Sequence, residues 1–579
     1  MNFTFSAKNE SAAVTLTPRT PADGITILDV DIDFGTRCVP QPVTVTWRVP
    51  CADVYSVYCP GHAHNREIGV SWSPRVSDAR LASGAPVQQL ISLGGRNRLT
   101  VALSDAATPT AITTGIDEHT AEFVCTVKFF TEPINELERY HASVRIDTTD
   151  IPYEAAMRGV HAFWRDAGYA PAPVPDAAEW PVYSTWYSFH QAVDVDAIVA
   201  QCRMAKAMGM DTIIVDDGWQ IAWGKRGYIT CGDWEPIPEK VADMREFVDR
   251  VHAEGMKFVL WYSVPFVGKE SKIFSHFEAE RMFLGPVNHL GAACLDPRFP
   301  AVRAYLTDIY TRAAREWGLD GFKLDFIDSF KLGPQTPAFD ERWDTRSLEQ
   351  GVDWLLRDVT EALLSINPDM MIEFRQSYYG PNICHYGNMI RVSDCPNSGL
   401  ANHTRGTNLR LALGGSAPHS DMLMWHNDDP VESVAMQLID TLFYVPQISV
   451  KLDEIPESHR KALAHFLRFW RTNRDTLLHG SFSAENPEAL YTVVKAERDG
   501  HLIAALHTKP VLSVERVERL SMFNATADGW LYLRTAAPSG EKTLRVYACT
   551  GELIEERQFT LEAGTYLFDV PCAGLVEIG

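Results

Sequence analysis

Between residues 183 and 473 short apolar runs and amphipathic stretches alternate eight times, and this rhythm constrains the chain more than any other feature. A run such as Thr212-Ile213-Ile214-Val215 is too short for a helix and apolar on both faces, as a strand inside a parallel sheet must be. The pattern predicts strands at Tyr183–Phe189, Thr212–Val215, Lys257–Tyr262, Gly321–Phe326, Met370–Arg375, Asn388–Asp394, Asp421–His426 and Gln447–Val450. It predicts helices at Asp194–Met208, Met244–Ala253, Ala301–Trp317, Arg342–Ile366, Asn408–Leu413, Val431–Tyr444 and Glu457–Asn473. Eight strands interleaved with seven helix-spaced stretches imply an α/β fold, a (β/α)8 TIM barrel. An open doubly wound sheet is the alternative, but no Gly-rich dinucleotide turn follows the first strand.

The flanks read differently. Residues 1–150 contain β-branched alternating runs, among them Val43–Val49 and Val124–Phe130, punctuated by Gly94, Gly95 and Asn97, and predict an N-terminal β-sandwich. Residues 151–177 read as a linker, 178–478 as the barrel, and 479–579 as a small C-terminal β-domain with strands near Leu490–Val494, Leu502–Leu506 and Thr543–Tyr547.

Composition removes several function classes. The formal net charge of −22 repels phosphate backbones, so no nucleic-acid partner is expected. No apolar run approaches the ~20 residues of a membrane helix, so no membrane partner is expected either. Met1–Lys8 lacks a basic stretch followed by an apolar one, so no signal peptide is expected. Eleven scattered cysteines without a CxxC pair read as reduced thiols in a cytoplasmic protein. A disulfide or metal pair at Cys51 and Cys59 is the alternative. The 15 tryptophans suit stacking on sugar faces, and suit a large core equally. There is no HExxH, GxSxG or P-loop, which argues against metallohydrolase, serine-hydrolase and phosphoryl-transfer chemistry.

A barrel of this type carries its active site at the C-terminal ends of its strands. Acids collect there: Asp216 and Asp217 after strand two, Asp325 on strand four, Glu373 on strand five and Asp394 after strand six. Each alone could be the N-cap of the next helix. Together, with Trp186, Trp219, Trp261 and Trp425 on the same rim, they suggest a sugar site. Glycoside cleavage needs two facing carboxylates, one to attack the anomeric carbon and one to protonate the leaving oxygen. Lys323 and Asp325 share a strand face at i and i+2, and an ammonium beside a carboxylate keeps it ionised, as a nucleophile requires. Asp394, with Arg391 three residues before it, is the acid/base candidate; a helix cap or an ion pair to Arg391 is the duller assignment. His426 and His190 are candidates for substrate hydrogen bonds, or for supporting positions behind them.

Asp216-Asp217-Gly218-Trp219, Lys323-Leu324-Asp325 and Arg391-Val392-Ser393-Asp394 resemble, in order and spacing, the motifs of glycoside hydrolase family 36 in the α-galactosidase clan. The resemblance spans Tyr183 to Val450. It implies a retaining mechanism through a covalent glycosyl-enzyme, with Asp325 as nucleophile and Asp394 as acid/base. It also implies that Asp216, Asp217 and Lys323 bind sugar hydroxyls and that Trp219 lines the sugar pocket. No metal or organic cofactor is implied. Two segments depart from the family pattern: Leu260–Pro265 lacks the glutamates typical of strand three, and Glu373–Pro381 replaces a Cys-x-x-Gly-Gly-Gly stretch. Substrate groups around C2 would be read there. Arg375 could pair with an anionic substrate group, or with Glu373 on its own strand face. The expected activity is that of a retaining exo-α-glycosidase on terminal α-linked galactose in an oligosaccharide or glycoside. The alternatives are transfer to another sugar, a different sugar (N-acetylgalactosamine, arabinopyranose or an anionic one), or a non-catalytic carbohydrate-binding protein on a degenerate barrel. A homo-oligomer is compatible with a barrel flanked by two β-domains.

Overall fold

The apolar runs of the middle region close on themselves. In the computed structural model, which describes residues 1–579 except 10, 60–65, 68–74, 226 and 509–510, eight parallel strands form a closed barrel. They are β1 (Val182–Ser184), β2 (Thr212–Val215), β3 (Lys257–Ser263), β4 (Gly321–Asp325), β5 (Met371–Arg375), β6 (Met389–Arg391), β7 (Ala417–Leu423) and β8 (Val445–Ile448). Every residue of β2 and β4 is buried, which explains why these strands lack a polar alternation.

Several boundaries differ from the sequence expectation. β1 stops at Ser184 and a short helix, Trp186–Phe189, follows it, so Trp186 leaves the strand. β6 stops at Arg391, which puts Asp394 in the loop beyond it. β7 starts at Ala417 and ends at Leu423, so Asp421 lies inside the strand and His426 past its end. The helix after β6 is Gly399–Leu413, much longer than the expected Asn408–Leu413.

Helix starts are fixed by dedicated caps. Asp194, Asp243, Ser347 and Ser398 each accept a backbone N–H of the first turn. With those positions filled, the acids at the strand ends are left for other work.

Residues 1–150 form a five-stranded and a seven-stranded antiparallel sheet. Strand Glu122–Phe129 alternates inward Phe123, Cys125, Val127 and Phe129 with outward residues, and these pack with Trp47, Val30 and Val144 in one dry core. The expected linker contains a helix, Tyr153–Asp166, that buries Tyr153, Ala156, Met157, Val160 and Trp164, the i, i+3, i+4 spacing of an amphipathic face. Trp164 Nε1 donates to the Leu103 carbonyl at 3.0 Å and the Tyr153 hydroxyl to the Ala484 carbonyl at 2.8 Å. The helix therefore ties both β-domains together. The C-terminal domain is a seven-stranded and a three-stranded sheet. All eleven cysteines are thiols, Cys51 and Cys59 among them. No helix among the described residues is long and apolar enough to cross a membrane.

Candidate active site

Register across the barrel brings charge together at its C-terminal mouth. Lys323 pairs with Glu373 across β4 and β5, and Arg375 with Arg391 across β5 and β6. Two guanidinium groups on neighbouring strands repel unless carboxylates separate them, and here carboxylates do.

Asp325 closes β4 and is buried. Its Oδ1 accepts from Arg375 Nε at 2.6 Å, the Phe326 backbone N–H at 2.7 Å and the Tyr378 hydroxyl at 3.2 Å. Among the described residues, its Oδ2 accepts only from Trp261 Nε1, at 3.1 Å. Burial by itself would raise the pKa, but the charges of Arg375, Lys323 and Arg391 outweigh it and hold the carboxyl well below the usual range. Asp325 is thus ionised at any working pH, with Oδ2 the oxygen that keeps an available lone pair.

Asp394 stands across the mouth with 57% of its side chain exposed, its Oδ1 accepting from Arg391 Nη2 at 2.9 Å. Burial of part of the carboxyl and the negative charge of Asp325 raise its pKa, while Arg391 and Lys323 lower it and prevail. Asp394 is therefore both at the opening and ion-paired to Arg391, two placements that the sequence posed as alternatives.

Arg391 is itself buried. Its Nη1 donates to Asp421 Oδ1 at 2.5 Å and its Nε faces Glu373 Oε1 at 3.7 Å. The guanidinium proposed to bind substrate is occupied by three carboxylates. Arg375 is turned to Asp325 rather than to Glu373, with Asp328 at 3.7 Å from its Nη1. Glu373 instead accepts from Gln447 Nε2 at 2.6 Å.

Lys323 Nζ contacts Asp216 Oδ2 at 2.5 Å. Asp217 accepts from Gln220 Nε2 and Gln191 Nε2, one on each oxygen, both at 2.6 Å. Burial, helped by the charge of Asp216, pushes Asp217 up to about 6 against these two bonds. Asp217, Gln191, Trp186, Trp223, Tyr228 and Lys240 line a cleft of about 620 Å³. Tyr228 stacks on Trp261 with ring centroids 5.7 Å apart, which joins this cleft to Asp325. Trp186 stacks on His190 at 4.0 Å.

Three expected residues lie elsewhere. Trp219 is fully buried behind the wall, packed against Trp234, Tyr262 and Trp317, with its Nε1 donating to the Trp261 carbonyl at 3.1 Å. His426 is exposed in the loop after β7, where its Nδ1 accepts from the Asp428 N–H at 3.2 Å. Trp425 is buried in the same loop.

Sequence reasoning missed Asp421, Tyr187, Gln191 and Gln220. Asp421 Oδ2 accepts from the Cys395 N–H at 2.6 Å and the Tyr187 hydroxyl at 3.1 Å, anchoring the loop that carries Asp394. The signal was present: His419 and Asp421 are titratable residues at i and i+2 of a strand buried along its whole length.

Residues 175–280 match the Melibiase family model. Over 221 residues the chain is 26% identical to the A type blood α-D-galactosamine galactosaminidase of Flavonifractor plautii, covering 35% of this chain and 19% of that protein. Over 271 residues it is 26% identical to the bifunctional α-galactosidase/sucrose kinase AgaSK of Mediterraneibacter gnavus, covering 43% of this chain and 26% of that one. The chain thus aligns with about a quarter or less of either relative's length. Among solved structures, the GH36 α-galactosidase AgaA of Geobacillus stearothermophilus in complex with raffinose superposes with a TM-score of 0.67 at 12% identity, over 98% of this chain and 81% of that one. In fold, over nearly its whole length, the chain is similar to GH36 α-galactosidases, and in sequence residues 175–280 match the Melibiase model.

Proposed function

We propose that the protein is a retaining exo-α-glycosidase that releases terminal α-linked galactose-type sugars through a glycosyl-aspartate intermediate. The observation that carries this reading is Asp325, a buried carboxylate held ionised by cations and left with one lightly bonded oxygen at the barrel mouth. In the first step Oδ2 attacks the anomeric carbon. The C–O bond to the leaving group breaks, and Asp394 gives that oxygen its proton. The charge of Asp325 works toward the protonated form of Asp394, against Arg391 and Lys323, which hold its pKa below the ordinary value in the free protein. Ester formation removes that charge, so Asp394 becomes a stronger acid and its conjugate base can take a proton from water in the second step. Water then breaks the ester and restores both groups.

Asp216, Asp217 and Lys323 are the proposed holders of sugar hydroxyls, and Trp186 and Tyr228 the proposed stacking surfaces. An anionic sugar is disfavoured, because Arg375 is engaged by Asp325. A galactosamine-type sugar is the second reading, prompted by the name of the Flavonifractor relative. An oligosaccharide or glycoside substrate and a cytoplasmic site of action belong to the same proposal, the latter supported by cysteines that are all thiols.

The test is a panel of aryl α-glycosides (galactoside, N-acetylgalactosaminide, glucoside, arabinopyranoside, galacturonide), with the initial product followed by proton NMR. Release of the α-anomer first is expected, fastest from the galactoside. Initial β-anomer would overturn retention. An inert protein that still binds galactosides would favour the non-catalytic alternative, and disaccharide formation at high acceptor concentration would favour transfer.

A further inference from the structure

Away from the mouth, three potential ligand side chains converge where the barrel meets the C-terminal β-domain. His403 lies on helix Gly399–Leu413, Asp440 just after helix Val431–Ile439, and His507 just after strand His501–Leu506. One ligand atom from each lies within 4.8 Å of the others. The two imidazole rings have centroids 3.8 Å apart, and His507 Nδ1 lies 3.2 Å from Asp440 Oδ1.

His403 is held in the orientation a ligand needs. Its Nε2 faces the backbone carbonyls of Leu490 at 3.1 Å and Tyr491 at 3.2 Å, which fixes the proton on Nε2 and leaves Nδ1 as a lone-pair donor. Leu490 and Tyr491 both adopt positive φ, 59° and 65°, and so aim successive carbonyls at one ring. Such a backbone-oriented imidazole is the usual arrangement behind a metal-bound histidine.

We propose that His403, Asp440 and His507 bind one divalent transition-metal ion of the Zn²⁺ class, which staples the C-terminal β-domain to the barrel. Two nitrogens and a carboxylate oxygen suit this ion, with water completing a tetrahedron. The staple would also brace the helix whose Asn402 bonds the Asp421 backbone and whose Arg405 donates to the Asp394 carbonyl at 2.9 Å. The proposal is independent of which sugar the mouth accepts.

The test uses the full-length protein stripped with a chelator and titrated with ZnCl₂, with bound metal counted by mass spectrometry. Thermal unfolding is followed in parallel, and CoCl₂ serves as a visible-absorption probe. One equivalent per chain, a midpoint that rises with Zn²⁺ concentration and the bands of four-coordinate cobalt are expected. His507→Gln and Asp440→Asn should each lose that equivalent and the Zn²⁺-dependent rise. Stripped wild-type protein that takes up no metal overturns the proposal, as does uptake that persists unchanged in both variants. If one variant does not fold, the other variant and the wild-type cobalt spectrum decide.

Discussion

The mouths of β4 and β6 each present an aspartate, and their surroundings are opposite. Asp325 is sealed in, with donors from Arg375, Phe326, Tyr378 and Trp261 fixing both oxygens. Asp394 is more than half exposed and answers to one guanidinium. The first environment suppresses titration. The second leaves a carboxylate whose charge depends on its neighbours' charges. The double-displacement reaction proposed above needs one group of each kind, and Asp325 and Asp394, from strands two apart, are the pair proposed for it.

The largest effect expected is on the sealed side. Asp325→Asn keeps the shape and removes the proposed nucleophile, so kcat on an aryl α-galactoside should fall on the order of 10⁴-fold or more. Next comes the exposed side. Asp394→Asn should cost roughly 10²–10⁴-fold for substrates with poor leaving groups, but far less for a dinitrophenyl galactoside, which needs no proton. Added azide should speed the variant and yield a galactosyl azide. Equal losses on both substrates would remove the acid/base distinction.

Arg391 joins the two halves of the comparison, and its loss should appear as instability. Arg391→Leu leaves the buried Asp421 without its cation and Glu373 with Lys323 alone, which should cost about 3–5 kcal/mol in urea unfolding at pH 7. The loss should shrink at low pH as those carboxylates protonate. Both lie above their ordinary values in the fold because of burial, so protonation relieves the stranded charge as pH falls.

The smallest effect concerns Asp217. With its pKa pushed up to about 6, it loses its negative charge as pH falls through that value, so KM for a galactoside should rise below pH 6 while kcat changes less. Gln220→Ala removes a bond that favours the ionised form. It should move this limb to higher pH and cost binding about 1 kcal/mol. A limb that stays in place would mean Asp217 does not contact the sugar.

The barrel and its acids were readable because their signals are local. A run of apolar residues names a strand, and Lys323 and Asp325 at i and i+2 name a shared face. What the sequence hid was lateral. Which strand lies beside which, and at what register, decides that Arg375 turns to Asp325 rather than to Glu373. Trp219 follows the acids at the strand end, yet its ring lies in the core, just after Gly218 with its φ of 131°. Placing the start of β7 four residues late hid Asp421. Reading 151–177 as a linker missed a helix whose apolar face shows only at helical spacing. His403, Asp440 and His507 come from separate elements and form no short motif.

The most direct measurement is covalent trapping. The protein is incubated with a fluorinated galactosyl fluoride, whose glycosyl-enzyme forms faster than it hydrolyses, then digested and sequenced by tandem mass spectrometry. The account predicts a single fluorogalactosyl ester on Asp325, absent from Asp325→Asn. A label on Asp394 or on any other carboxylate would contradict it.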